Sequence, residues 1–181
     1  KVNELKLILP SGISIKSLSD IGFTHEIKET ASTIEGNSLL KAQFIYDRYS
    51  TSCISDDTGL EVDALNGEPG VFSAWYAGVN TNSKQNITKL LDRLKEQGNR
   101  KARFKTIITL IIDGDIHQFE GVVEGQISKQ ENGKNGFGYD PVFIPEGHSL
   151  SFAQMSAEQK NQISHRYLAL QKVSKFISGI V

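Results

Sequence analysis

The feature of this sequence that most constrains its fold is a pair of β-rich runs, residues 103–112 and 116–123, joined through Asp113-Gly114. Asp-Gly is a strong turn dipeptide between two strands, because both turn positions take positive φ angles. The two runs therefore predict one long antiparallel hairpin. Gly121, inside the second run, and Gly125, just after it, indicate a bulge or a bend there.

The rest of the chain alternates between helical and β-type patterns. Apolar spacing predicts the end of a helix over residues 1–9, and further helices over 38–49, from Ser83 and after Ser156. Short β-type runs are predicted at residues 13–15, 53–55 and 60–65. Helices interspersed with strands around one long hairpin indicate a single domain over residues 1–181, of the α/β or α+β class, with a mixed sheet.

Composition excludes several classes of protein. The chain carries 20 Lys and Arg residues against 21 Asp and Glu, a formal net charge of -1, which argues against a broad basic surface that binds nucleic acid. Its best apolar run, residues 107–112, is strand-sized and falls short of the roughly 18 residues that suggest a membrane span. The single cysteine, Cys53, excludes an internal disulfide and fits a reducing compartment, so a cytoplasmic location is expected.

Two adjacent acids, Asp56 and Asp57, follow a short β-type run and precede Thr58-Gly59. Acids at the end of a strand lie where α/β proteins usually bind ligands, and a carboxylate there can bind Mg²⁺ or accept a proton from water. Because adjacent side chains of an extended chain point in opposite directions, only one acid is expected to face a given ligand. A polar turn with a capping Asp is the alternative interpretation.

A glycine-rich stretch, residues 132–140, ends in Phe137-Gly138-Tyr139-Asp140. Its glycines allow backbone N–H groups to approach a phosphate or a base closely, and Phe137 or Tyr139 can stack on a purine. The stretch is neither a Walker loop nor a dinucleotide fingerprint, because the required lysine and spacing are absent. A hairpin loop with a core aromatic residue is the alternative interpretation.

Lys160 and Ser164-His165-Arg166 place several cationic or proton-donating groups near a predicted helix start. Such groups suit a phosphate or a keto oxygen. On an unbroken helix Lys160 and Ser164 would share a face, while His165 and Arg166 would lie further round. A break near Gln162 would allow all of them to converge, and a solvated charged face is the alternative interpretation.

Together these segments resemble the inosine triphosphate pyrophosphatase family. The resemblance covers essentially the whole chain and rests on the order and spacing of Asp56-Asp57-Thr58-Gly59, Phe137-Gly138-Tyr139-Asp140-Pro141 and Ser164-His165-Arg166. It implies Mg²⁺-dependent hydrolysis of ITP, dITP and XTP to the monophosphate and pyrophosphate. It also implies a homodimer of α/β subunits, each with a long mixed twisted sheet and helices forming two lobes around a central cleft.

The resemblance also implies roles for individual residues. Asp57 would bind Mg²⁺ and accept a proton from the attacking water, Asp56 would assist the metal or orient that water, and Glu35 is a further predicted metal ligand. The predicted substrate-binding residues are Lys1, Thr58, Phe137, Gly138, Tyr139, Asp140, Lys160, His165 and Arg166. A donor such as Lys160 or Arg166 would donate a hydrogen bond to the keto oxygen of hypoxanthine and leave the amino group of adenine unpaired.

Some features depart from the family's pattern. Gly36 stands where the family usually has an acid, Trp75 stands where it commonly has arginine, and the family's N-terminal strand and phosphate loop are expected upstream of residue 1. A non-catalytic nucleotide-binding regulator is therefore one alternative, against which the intact Asp56-Asp57 pair argues. A septum-inhibitor-like pyrophosphatase for pyrimidine or methylated nucleotides is another, against which residues 137–141 and 164–166 argue.

Overall fold

The computed structural model describes Leu5 and residues 13–180. The predicted role of Lys1 and, apart from Leu5, the helix expected over residues 1–9 lie outside the described residues. The strand expected at residues 13–15 does not form, and these residues have no regular secondary structure. Within this part of the chain, no helix combines the length and the apolar character needed to cross a membrane.

The described residues form one five-stranded sheet in the order β2-β1-β3-β4-β5. Its strands are β1 (Cys53–Val62), β2 (Pro69–Gly70), β3 (Lys101–Ile112), β4 (Asp115–Ile127) and β5 (Phe143–Pro145). Every pairing between these strands is antiparallel, whereas the sequence predicted a mixed sheet. The long hairpin is confirmed, because β3 and β4 pair along their lengths and Asp113 and Gly114 turn with φ angles of 50° and 93°.

Strand β1 is longer than the sequence predicted. It continues through residues 56–59, and its pairing with β3 runs without a break from Cys53 opposite Ile111 to Val62 opposite Ala102. The interpretation of the two acids as part of a polar turn is therefore wrong. Because successive residues of a strand point to opposite faces, the acids are separated by the sheet itself.

The described residues also form four α-helices, α1 (Ile34–Tyr49), α2 (Ser83–Arg93), α3 (Ala157–Ile163) and α4 (His165–Ser178). Helix α1 begins after Thr33, whose side-chain oxygen accepts a hydrogen bond from the N–H of Gly36 at 3.0 Å as an N-cap. The predicted C-terminal helix is broken at Ser164, which has extended φ and ψ angles of -72° and 147° and caps α4. This break, close to the expected one, brings the groups on α3 and α4 together.

Helices α1 and α4 cover opposite faces of the sheet. On one face, the Ser55 hydroxyl of β1 donates to the backbone oxygen of Ser38 in α1 at 2.5 Å. On the other face, Ile108 and Leu110 of β3 pack against the apolar side of α4. A separate apolar cluster joins α2 to the other end of the sheet. The two clusters fit the two-lobed arrangement that the family resemblance implied.

Gly121 does not form the expected bulge, because the β3–β4 register is continuous at this position. It allows the start of α4 to lie against the sheet, since a Cβ atom here would be 1.9 Å from the backbone oxygen of His165. We expect Gly121→Ala to lower the free energy of unfolding by about 2–3 kcal/mol, as overpacking does. Urea denaturation measures this loss.

The matched control is Gly98→Ala, because a Cβ atom at Gly98 would meet nothing within 4 Å. This variant should keep the wild-type free energy of unfolding within about 1 kcal/mol. Equal stability of the two variants would contradict the close approach of α4 at Gly121.

Candidate functional site

The two neighbouring acids of β1 belong to two different clusters of charged side chains. Asp56 lies opposite Ile108 of β3, on the face that packs against α4, and Asp57 lies opposite Ile107, on the face covered by α1. The side-chain contacts agree, because Asp56 pairs with Arg166 of α4 and Asp57 pairs with Lys41 of α1. The expectation that adjacent acids point apart is therefore met.

On the α1 face, one ammonium group contacts two carboxylates. The Nζ atom of Lys41 lies 3.0 Å from Oδ1 of Asp57 and 2.5 Å from Oε1 of Glu29. Burial raises the pKa of Asp57, and the positive charge of Lys41 opposes that rise only in part. Burial also works against the charge on Lys41, but its bonds to Glu29 and Asp57 outweigh that effect and raise its pKa. Lys41 therefore stays cationic beside an unusually basic carboxylate.

A buried amide holds Glu29 close to this cluster. Glu29 lies in the irregular segment before α1, and the backbone N–H of Ala31 in that segment donates to Oδ1 of Asn37 at 2.9 Å. Asn37 belongs to α1, and only 2% of its surface is exposed. The bond fastens the segment that carries Glu29 to the helix that carries Lys41.

Glu35, the predicted second metal ligand, has another partner. Its carboxylate pairs with the ammonium group of Lys105 in β3, which also lies 3.3 Å from Oε2 of Glu120 in β4. Burial opposes ionisation of Glu35, but the hydrogen bond from Lys105, a backbone hydrogen bond and the positive charge of Lys105 together outweigh burial and lower the pKa of Glu35. Among the described contacts, the acid that adjoins Lys41 and Asp57 is Glu29, not Glu35.

On the opposite face, the predicted base-binding residues gather around Phe137. The guanidinium carbon of Arg166 lies 5.9 Å from the centre of this ring, and Nζ of Lys160 lies 4.7 Å from it. The ring is 64% exposed and can still stack on a ligand. Asp140 fixes this arrangement, because its Oδ2 accepts hydrogen bonds from Nζ of Lys160 at 2.5 Å and from the backbone N–H of Phe137 at 2.8 Å.

The sequence of this chain matches a known family along nearly its whole length, because the model of the Ham1 family matches residues 1–176. The chain belongs to the Ham1 family. A relative from Porphyromonas gingivalis named dITP/XTP pyrophosphatase is 53% identical over 178 residues, which cover 98% of this chain and 92% of the relative. The Bacillus subtilis protein of the same name is 44% identical over 183 residues, 99% of this chain and 92% of that one.

Solved structures agree with the fold of this Ham1 protein. The Ham1 protein of Staphylococcus aureus superposes with a TM-score of 0.94 at 40% identity, covering 99% of this chain and 94% of its own. A nucleoside-triphosphatase from Mycobacterium abscessus, named dITP/XTP pyrophosphatase, gives a TM-score of 0.83 at 36% identity, with 95% and 92% covered. Both the family resemblance and the α/β fold predicted from the sequence are confirmed.

Sequence reasoning missed two charged residues of this Ham1 protein, Glu29 and Lys41. The sequence could have indicated Lys41 through its spacing from Asn37, because residues four positions apart share one face of a helix. Lys41 on that face contacts Asp57 of β1. Glu29 carried no comparable signal, since the segment before α1 has no periodic pattern.

His165, the first residue of α4, is a buried and neutral residue of this Ham1 protein. It is 5% exposed and stacks on Phe104 with ring centres 4.7 Å apart. Its Nδ1 atom is buried and has no hydrogen-bond partner among the described residues. Burial lowers the pKa of His165 to about 3, with the positive charges of Arg166 and Lys160 adding to the effect and Asp56 opposing it. Its ring is therefore uncharged at neutral pH.

This depressed pKa predicts a pH dependence of stability. Unfolded His165 takes up a proton near its ordinary pKa of 6.5, whereas the folded residue remains neutral down to about pH 3. Between these values the unfolded state binds more protons, so the free energy of unfolding falls as the pH falls. We expect His165→Gln to flatten this fall by up to about 1.4 kcal/mol per pH unit, measured by urea denaturation from pH 7 to 4.

Exposed His148 provides the control, and His148→Gln should retain the wild-type slope. If His165→Gln also retained that slope, the burial of a neutral imidazole in this Ham1 protein would be contradicted.

Other predicted site residues have mainly structural contacts. The hydroxyl of Thr58 lies 2.7 Å from that of Thr106, on the same face as Asp56. Tyr139 is buried and donates its hydroxyl to the backbone oxygen of Ser73 at 3.0 Å, so of the two rings only Phe137 is exposed for stacking. Gly138 has a φ angle of 60°, which favours glycine.

Proposed function

We propose that this Ham1 protein hydrolyses non-standard purine nucleoside triphosphates, ITP, dITP and XTP, to the monophosphate and pyrophosphate. The observation that carries this proposal is the cluster of Asp57, Lys41 and Glu29, which combines a proton acceptor with a cation. The names of the relatives support the same activity. Removal of these nucleotides would cleanse the nucleotide pool.

Asp57 is the proton acceptor in this proposal. Its carboxylate takes a proton from a water whose oxygen forms a bond to the α-phosphorus. The bond from that phosphorus to the oxygen bridging the α- and β-phosphates breaks, and pyrophosphate leaves with the bonding electrons. A pKa raised by burial makes Asp57 a stronger proton acceptor than an exposed carboxylate. Lys41, held beside it, stabilises the negative charge that develops on the phosphate oxygens.

The residues around Asp57 also fit a magnesium ion. The described residues contain no group of three or more His, Cys, Asp or Glu side chains that could hold a metal. Mg²⁺ does not need such a group, because one or two carboxylates, water and substrate phosphates bind it. In the proposal Asp57 and Glu29 would hold Mg²⁺, since both carboxylates lie close enough together to contact one ammonium group. When bound, the ion would neutralise phosphate charge.

The second cluster provides a basis for choosing the purine. Phe137 offers an exposed face for stacking, and Arg166 offers N–H donors to the keto oxygen at C6 of hypoxanthine or xanthine. Adenine presents an amino group at that position, so the same donors would stay unpaired. An unpaired buried polar group costs about 1–3 kcal/mol, which corresponds to roughly tenfold to hundredfold discrimination.

Product analysis tests the proposal. The protein is incubated with Mg²⁺ and dITP, XTP, dATP, dGTP or dUTP, and pyrophosphate, orthophosphate and monophosphate are measured. We expect pyrophosphate and the monophosphate, with dITP and XTP used fastest. A preference for dUTP would contradict the substrate class, orthophosphate release would contradict the reaction, and tight binding without turnover would favour a regulator.

The assembly and the location that the resemblance implied are also part of this proposal. The protein acts as a homodimer in the cytoplasm. Burial raises the pKa of the single thiol, Cys53, which suits a reducing compartment because the group is kept protonated and unreactive. Sedimentation equilibrium tests the dimer, and a monomer at micromolar concentration would contradict it.

A further inference from the structure

We propose that Asp56 is a positioning residue for recognition of the base, acting through Arg166, and that it takes no part in hydrolysis at Asp57. This inference rests on the proposed function, and it separates two acids that are neighbours in the sequence. The family resemblance had suggested that Asp56 assists the metal or orients the water.

The geometry of β1 directs Asp56 away from the hydrolytic cluster. Its partner across the strand pair is Ile108, which packs on α4, whereas the partner of Asp57 is Ile107 on the α1 face. Among the residues that the structure describes, Lys41 and Glu29 are the charged side chains that influence the ionisation of Asp57, and Asp56 is not one of them. Asp56 instead influences His165, on the α4 face.

Asp56 contacts the guanidinium group of Arg166 through two nitrogen atoms. Its Oδ2 lies 3.3 Å from Nε and 3.3 Å from Nη2, and both side chains are mostly buried. A carboxylate that contacts two nitrogens of one guanidinium fixes the plane of that group as well as its position. The remaining N–H donors of Arg166 can then be aimed at a ligand.

Arg166 needs such a restraint because of its place in the helix. It is the second residue of α4, directly after buried His165. A long side chain at this position can adopt many rotamers. Its guanidinium lies beside the exposed Phe137 ring, where a base would stack. Without Asp56 the donors would be less well oriented, so a keto base would lose more affinity than a base that cannot use them.

The test compares Asp56→Asn with the wild type for dITP and dATP. The amide keeps the shape of the side chain but removes the charge. We expect the KM for dITP to rise about tenfold, the preference for dITP over dATP in kcat/KM to fall about tenfold, and kcat for dITP to change less than about threefold. Asp56→Glu should recover part of the preference. Asp92→Asn, on an exposed position of α2, is the matched control.

A double-mutant cycle shows whether Asp56 acts through Arg166. Arg166→Gln alone should lose the preference for dITP, and adding Asp56→Asn should cause less than about a twofold further change. Binding of dIMP and dAMP, measured by calorimetry, provides a readout without turnover and should show the same loss for dIMP. Arg166→Lys, which leaves Asp56 intact, should also lose the preference for dITP over dATP. This variant replaces Asp56→Asn in the test if Asp56→Asn does not fold.

Two results would overturn the inference. One is a fall in kcat of about a hundredfold in Asp56→Asn with KM and base preference unchanged, which would assign Asp56 to hydrolysis. The other is a loss of the preference for dITP in the double variant that equals the product of the two single losses, which would show that Asp56 and Arg166 act independently. Failure of the wild type to release pyrophosphate from dITP would instead contradict the proposed function, and the dIMP binding measurements would still decide the role of Asp56.

Discussion

Replacement of Asp57 by Asn is expected to lower kcat for dITP about a thousandfold or more. Asn has nearly the same shape but cannot accept the proton of the attacking water, and it is a poorer ligand for Mg²⁺. General-base catalysis alone contributes about a hundredfold to ten-thousandfold in rate, so its loss dominates the result. Pyrophosphate release under saturating dITP measures the change.

This variant should still bind the base, because Phe137 and Arg166 lie on the opposite face of the sheet. We therefore expect the affinity for dIMP to stay within about threefold of the wild type, together with an unchanged circular dichroism spectrum. Asp47→Asn is the control, since Asp47 of α1 is exposed and contacts Gln43 rather than the cluster. Substantial turnover by Asp57→Asn would contradict the assignment of the proton acceptor.

Replacement of Lys41 by Met is expected to lower kcat/KM for dITP about a hundredfold or more. Met retains much of the length of the side chain but removes the ammonium group that contacts Asp57 and Glu29. The cation would then be missing where negative charge develops on the phosphates, an effect typically worth about a hundredfold to a thousandfold. The two carboxylates would also repel each other without a cation between them.

Initial rates at several dITP concentrations measure this effect. Lys41→Arg should retain more activity than Lys41→Met because it keeps the charge, although the shape of its head group differs. Lys84→Met, at an exposed position of α2, should behave like the wild type. If Lys41→Met matched that control, Lys41 would have no role in the reaction.

The sequence predicted the β3–β4 hairpin, which depends on local signals, but it did not predict the full length of β1. The Asp113-Gly114 turn and the β-rich composition of its flanking runs indicated the hairpin. The extension of β1 through residues 56–59 was missed, because two acids and a glycine are typical of a turn. Pairing with β3 overrides that preference, and Gly59 suits the strand since a Cβ atom there would lie 2.6 Å from the backbone oxygen of Gly70.

The candidate site was predictable to the extent that its residues form compact motifs. Asp56-Asp57 and residues 164–166 stood out because several charged groups lie close together in the sequence. The pairing of Glu29 with Lys41 did not, because it depends on the buried bond from Asn37 to the segment before α1. That bond is a tertiary contact without a periodic signature. Glu35 was predicted as a metal ligand because it stands one residue before Gly36, the position at which the family usually has an acid.

The alternation of side chains along β1 has a consequence for engineering this enzyme. Randomising α3 and the first turn of α4 would search for new base preferences while leaving the cluster of Asp57, Lys41 and Glu29 untouched. Inserting or deleting one residue just before Asp56 would move each acid to the other face of the sheet. Hydrolysis at the phosphates and recognition of the base would then both be impaired. A substitution at Asp56 or Asp57 should therefore impair one of the two functions, whereas a change in the length of β1 before Asp56 should impair both.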